Sequence, residues 1–187
     1  YESAEKMYQQ ILDLLKKTRG EKHRDYVMTL GMLARLHSDR GEFAPAQLLN
    51  KKALEIYRET QGSSSPDCAA ALRNLCILES ASGNPLQAES YLSEALQIDL
   101  KRLELTASVQ SERQQLAMAS DARFSLDLYL SLASGSDRFA VSACEWLLTW
   151  KGMVLARQQA LRSVAGRADL GRIAHDFHIT TSQLAYP

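Results

Sequence analysis

The chain has 187 residues, 45% hydrophobic and 24% charged, with 22 Lys+Arg balanced by 22 Asp+Glu. This is an ordinary globular composition, and zero net charge exerts no global pull on nucleic acid or anionic lipid. No apolar run approaches the ~20 residues that a membrane-spanning helix needs, and no signal peptide is expected at the start.

In chain order, residues 2–17 place Ala4, Met7, Tyr8, Ile11, Leu12, Leu14 and Leu15 at helical spacing. Gly20 interrupts that pattern. A second helix is predicted over 24–39, with Val27, Leu30, Leu33, Ala34 and Leu36 along one side, Asp25 in its first turn and Gly41 as terminator. A third covers 43–60, with Pro45 tolerated in the first turn. Ser65, Pro66 and Asp67 form a start signal, an N-cap followed by proline and an acid. The helix they open runs over 66–81 and stops at Gly83. Helices over 85–105, 111–132, 138–164 and 168–184 follow, the second of these opened by the capping-box spacing of Ser111 and Gln114. No segment alternates with period two, so no strand is expected.

These elements recur every 42 residues. Ala4, Ala46 and Ala88 are in register, as are Leu12, Leu54 and Leu96, and Leu14, Ile56 and Ile98. Gly20 falls on Gly62, Asp25 on Asp67, Leu30 on Leu72, Leu33 on Leu75, and Gly41 on Gly83. A fixed period of this length marks a stacked array of helix pairs, in which neighbouring units bury each other's apolar faces. The expected fold class is therefore all-α, an antiparallel helix-pair superhelix with long C-terminal helices. The register lapses after Leu105: Glu104 stands where a loop glycine is expected, and Val109 replaces the acid. Two domains are expected, repeats over 1–105 and a helical extension over 106–187. Tyr1 aligns with Phe43, in mid-repeat, so the sequence reads as a fragment of a longer protein.

The core of the second unit, Leu72, Leu75, Cys76, Gly83, Ala88, Leu92, Ala95 and Ile98, has the large/small alternation of tetratricopeptide repeats. The run Leu54-Glu55-Ile56-Tyr57, then Gly62, then Pro66-Asp67, resembles the kinesin light chain subtype, with Ser65 in place of its histidine. A second resemblance lies in Ser111-Glu112-Arg113-Gln114-Gln115-Leu116, Ser125 to Leu132, and Trp150-Lys151-Gly152 followed by Val154 to Gln158. These segments look like the connector between such repeats and a CHAT domain, a caspase-like protease module found mainly in bacterial multidomain proteins. The resemblance implies a regulatory, protein-binding scaffold whose own CHAT domain, beyond Pro187, is one partner. The protease's His–Cys pair belongs to that module, so no catalytic residue is expected within these 187. A stand-alone peptide-binding adaptor is the alternative.

In such arrays the first helix of each pair lines a groove. That places Met28, Gly31, Met32, Arg35, Ser38 and Asp39 on one wall, and Ala70, Arg73, Asn74, Ile77, Ser80 and Ala81 on the other. Of these, Met28, Arg35, Arg73, Asn74 and Ile77 are the candidate protein-binding residues. The Asn74 amide can both donate to and accept from an extended peptide backbone, and the two arginines suit an acidic group. No cofactor or metal is expected. Cys68, Cys76 and Cys144 are odd in number and lack CxxC spacing, and His23, His37, His175 and His178 show no ligand spacing with them. Cys68 and Cys76, at core positions, read as reduced thiols, and a cytoplasmic setting is expected. The basic run Lys151, Arg157, Arg162, Arg167 and Arg172 forms no single stripe, because five residues turn a helix by about 500°. Nucleic-acid and membrane partners are not expected.

Overall fold

The computed structural model describes residues 1–106, 112–134 and 139–165. Their regular structure is helical throughout: α1 (Glu2–Thr18), α2 (Arg24–Asp39), α3 (Phe43–Gln61), α4 (Pro66–Ala81), α5 (Pro85–Thr106), α6 (Glu112–Ser134) and α7 (Ala140–Ala165). All seven follow the helices predicted from the sequence to within two residues at either end. The helix expected over 168–184 lies outside the described residues. The chain divides into two compact units, Tyr1–Ile98 and Asp99–Pro187. This compactness boundary falls inside α5, whereas the 105/106 division expected from the sequence marks the loss of the repeat register.

The punctuation of unit 1 has local chemical causes. The Ser65 hydroxyl accepts from the Cys68 amide at 3.2 Å and caps α4. His23 does the same for α2, Nδ1 accepting from the Asp25 amide at 3.2 Å. Gly41 and Gly83 have φ of 74° and 79°, left-handed conformations that a side chain would strain. After each glycine the chain bonds back to the helix it has just left. The Glu42 amide donates to the His37 carbonyl at 2.9 Å, and the Asn84 amide to the Glu79 carbonyl at 2.8 Å. These are two Schellman stops, 42 residues apart.

The core repeats with the same period. One buried cluster contains Leu12, Tyr26, Val27, Leu30, Leu33, Ala53 and Ile56. Adding 42 to each number gives Leu54, Cys68, Ala69, Leu72, Leu75, Ala95 and Ile98, all members of a second cluster, which also holds Ala71. Ala46 and Ala88 are fully buried, so a larger side chain at either would overpack the site.

Within unit 2, Leu100 and Leu103 of α5 and Ala122 of α6 form a cluster, packed by Trp146, Trp150 and Met153 of α7. The buried Ser125 hydroxyl donates to Asp99 Oδ2 at 3.0 Å. Of the connector-like segments, 112–116 lies in α6 and Trp150-Lys151-Gly152 in α7, while Ser111 falls outside the described residues. Ile173, Phe177 and Leu184, in the helix predicted over 168–184, also fall outside them. No described helix is long and apolar enough to cross a membrane.

Candidate functional site

Two adjoining cavities lie between α2 and α4, with volumes of about 450 Å³ and 250 Å³. α2 supplies Met28, Gly31, Met32 and Arg35, and α4 supplies Ala70, Asn74 and Ile77. Asn50 and Tyr57 of α3 and Tyr8 of α1 also contribute to the lining. The helix period explains the two walls. Met28, Met32 and Arg35 are spaced 4 and 3 along α2, as are Ala70, Asn74 and Ile77 along α4, so each set shares one helix face. Met28, Met32 and Ile77 are each more than two-fifths exposed despite being apolar. A Cβ placed at Gly31 would meet nothing within 4 Å, so this position opens the cavity without serving backbone geometry.

Four of the five candidate residues line these cavities: Met28, Arg35, Asn74 and Ile77. Arg73 does not, and its placement on the groove wall needs correction. It is 9% exposed and buried in unit 1. Arg35 is exposed, and no described residue forms an ion pair with it. Asn50 lines both cavities and was missed. It is 6% exposed, with Nδ2 donating to the Ala46 carbonyl at 3.0 Å. Its signal was available in the repeat, because Tyr8 and Leu92 hold the same register position and a buried amide departs from both.

The polar surroundings are asymmetric. Asp67, at the Tyr57 end of the larger cavity, accepts from Gln61 Nε2 at 2.8 Å. Burial, reinforced by the Asp67 charge, raises the Tyr57 phenol above its ordinary pKa, so it stays a neutral donor. Arg35 lines both cavities and is their cation. Outside the groove, Lys52 donates to Tyr26 Oη at 3.0 Å and lies 5.2 Å from that ring's centroid. The bond to Tyr26 raises the Lys52 pKa, against a smaller opposing effect of burial. Cys68 and Cys76 are buried and Cys144 is exposed, all as free thiols. Among the described residues no group of three or more His, Cys, Asp or Glu could hold a metal ion.

Paired helices with glycine stops, a core repeating at 42 residues and a groove lined by alternate helices define a helical-repeat binding protein. The tetratricopeptide repeat model matches residues 1–59 and 49–101, more than half of the chain, which therefore belongs to the tetratricopeptide repeat family. The family's fold is typically a non-enzymatic scaffold for protein–protein contact. The chain is 30% identical over 118 residues to the mitochondrial tetratricopeptide repeat protein 19 of Rattus norvegicus, covering 63% of this chain and 31% of that protein. The Mus musculus protein of the same name matches to the same extent. This chain thus spans about a third of the length of those relatives. Among solved structures, BtubC (BKLC) from P. vanneervenii superposes with a TM-score of 0.54 at 16% identity, over 89% of this chain and 58% of that one. The TPR-like repeats of a Podosopora anserina putative kinesin light chain give 0.50 at 17% identity, over 96% and 88%. At these identities the likeness concerns the fold.

Proposed function

We propose that unit 1 binds an extended segment of a partner protein between α2 and α4. The observation behind this reading is that Met28, Arg35, Asn74 and Ile77 converge on one open groove whose apolar side chains remain exposed. In this reading Asn74 and Asn50 engage the peptide backbone, Arg35 an acidic group, and Met28, Met32 and Ile77 an apolar side chain. Selection from a library of unstructured peptides tests it. Selected peptides should bind the wild-type protein and lose at least about tenfold in affinity to Asn74→Ala, the scale of one buried hydrogen bond left unmade. Equal affinity for wild type, Asn74→Ala and Arg35→Glu would overturn it.

The wider reading is a regulatory scaffold of a CHAT-type, caspase-like cysteine protease in a bacterial cytoplasm, with residues 106–187 linking repeats to protease. Its support is the resemblance of the 111–116 and 150–158 segments to such connectors. The reading frame after codon 187 tests it. A strand-borne His and Cys pair downstream agrees, and a stop codon soon after contradicts. The stand-alone adaptor is the second reading, resting on 30% identity to a protein named for its repeats.

A further inference from the structure

The two layers of unit 1 treat one carboxylate differently. Asp25 and Asp67 hold the same register position, in the first turns of α2 and α4. In the first layer the carboxylate is neutralised: Asp25 pairs with Arg19, and His23 Nδ1 lies 3.6 Å from it. The register replaces Arg19 by Gln61 and His23 by Ser65. Asp67 therefore accepts from a neutral amide, Gln61 Nε2, at 2.8 Å, and no described residue forms an ion pair with it. It lines the larger cavity, and so does Arg35, whose register counterpart is the uncharged Ile77. At the Asp67 end, the Asp67 charge acts on the Tyr57 phenol more strongly than the Arg24 charge does. The groove thus presents one anion and one cation, neither held by an ionic partner among the described residues.

The separation of these charges follows from the register. Asp67 is the counterpart of Asp25, and Arg35 lies ten residues beyond Asp25 along α2, which is about 15 Å of helix. An extended chain advances about 3.3 Å per residue and turns alternate side chains to one side, so residues four apart share a side and stand about 13 Å from each other. The residue midway between them faces the same way. On α2 the exposed Met28 and Met32 fall between the levels of the two charges. We propose that the groove selects an extended segment bearing a basic and an acidic residue four apart with an apolar residue midway, Asp67 holding the cation, Arg35 the anion, and Met28 with Met32 the side chain between. A segment of one charge sign fits worse, because one end of it meets its like. This proposal rests on the peptide-binding reading of the groove and adds Asp67 to it as a specificity-determining residue.

Peptides selected by the full chain from an unstructured library test this. They should be enriched in Lys or Arg four residues from Asp or Glu, with an apolar residue midway. Asp67→Asn, which keeps an oxygen for Gln61, should weaken their binding by about fivefold, near the ceiling for a charge pair open to solvent. Replacing the peptide's basic residue by Gln should give the same loss, and the two changes together should cost no more than either alone. Asp25→Asn, at the same register but outside the lining, should leave affinity unchanged. Peptides that depend on Asn74 but lack the charge pair, or that ignore Asp67→Asn, overturn this proposal and leave the groove reading standing. Equal weakening by Asp25→Asn also overturns it, because the effect then belongs to helix starts and not to the groove. Peptides indifferent to both Asn74→Ala and Arg35→Glu overturn the two readings together.

Discussion

The two layers of unit 1 share a backbone and differ in what fills and edges them. Tyr26 and Val27 occupy in the first layer the places that Cys68 and Ala69 occupy in the second. Around the α2–α3 turn, Arg40 donates to Glu5 Oε2 at 2.7 Å and pairs with Glu42 Oε1 at 2.9 Å. His37 Nδ1 meets Glu42 Oε2 there at 2.6 Å. The same places around the α4–α5 turn hold two amide contacts: Gln47 Nε2 donates to Ser82 Oγ at 3.1 Å, and Asn84 Nδ2 to Glu79 Oε2 at 3.1 Å. On the opposite rim, Arg58 pairs with Glu94 at 2.6 Å. Its register counterpart is two lysines, Lys16 and Lys52, bridged by Glu21. The apolar register is thus held strictly, while the polar rim finds different solutions to one geometry. Fold resides in the first and tolerance in the second, since rim charges contribute little to stability.

The largest expected effect comes from truncating a shared seam position. Ile56→Ala should lose about 2–5 kcal/mol in chemical denaturation, whereas Leu14→Ala, at the same register in α1 but exposed, should lose less than about 0.5 kcal/mol. Ala88→Leu should cost about 1–3 kcal/mol through overpacking. Equal losses at Ile56 and Leu14 would break the comparison between covered and open faces.

Glycines give effects of opposite sign. Gly83→Ala forces a side chain into a left-handed conformation and should cost about 1 kcal/mol or more. Gly31→Ala lies in a helix with open space around it and should stabilise by about 0.5–1 kcal/mol while narrowing the groove. A stabilised Gly31→Ala with weakened peptide binding would identify a helix position kept for function.

The sequence carried the helices because glycine stops, proline starts and a 42-residue register agree with one another. It carried the groove less completely. The set containing Met28, Arg35, Asn74 and Ile77 follows from helix period, but Arg73 is buried outside that lining, which a charged side chain in the sequence does not announce. Asn50 is the polar exception at a register position that Tyr8 and Leu92 share, and apolar periodicity alone does not single it out. Nor does α1 look different from α3 in sequence. Its apolar face is equally good, although Met7 and Leu14 are exposed.

Thiol chemistry separates the two units. Burial pushes Cys76 up to about 11, so the folded protein holds that proton more tightly than the unfolded chain does. Its contribution to stability is intact below the ordinary thiol pKa of 9.0 and is lost as pH rises towards 11. At pH 8 a maleimide should label exposed Cys144 alone, and Cys68 and Cys76 only after denaturation. Rapid labelling of Cys76 in the native state would contradict the packing of the second layer.

The smallest effect is expected at the rim. Arg40→Ala should cost about 0–1 kcal/mol, a loss that shrinks in salt, while Ser82→Ala should show no salt dependence. Equal salt responses would erase the electrostatic contrast between the layers.

Site-specific photo-crosslinking to a library-selected peptide tests the groove most directly. A photoreactive residue at Ala70, in the lining between α2 and α4, is compared with one at Leu48, an exposed position outside that lining. Binding between α2 and α4 predicts a peptide adduct from position 70 that Asn74→Ala reduces, and none from position 48. Adducts from position 48 alone, or equally from both and unaffected by Asn74→Ala, would contradict it.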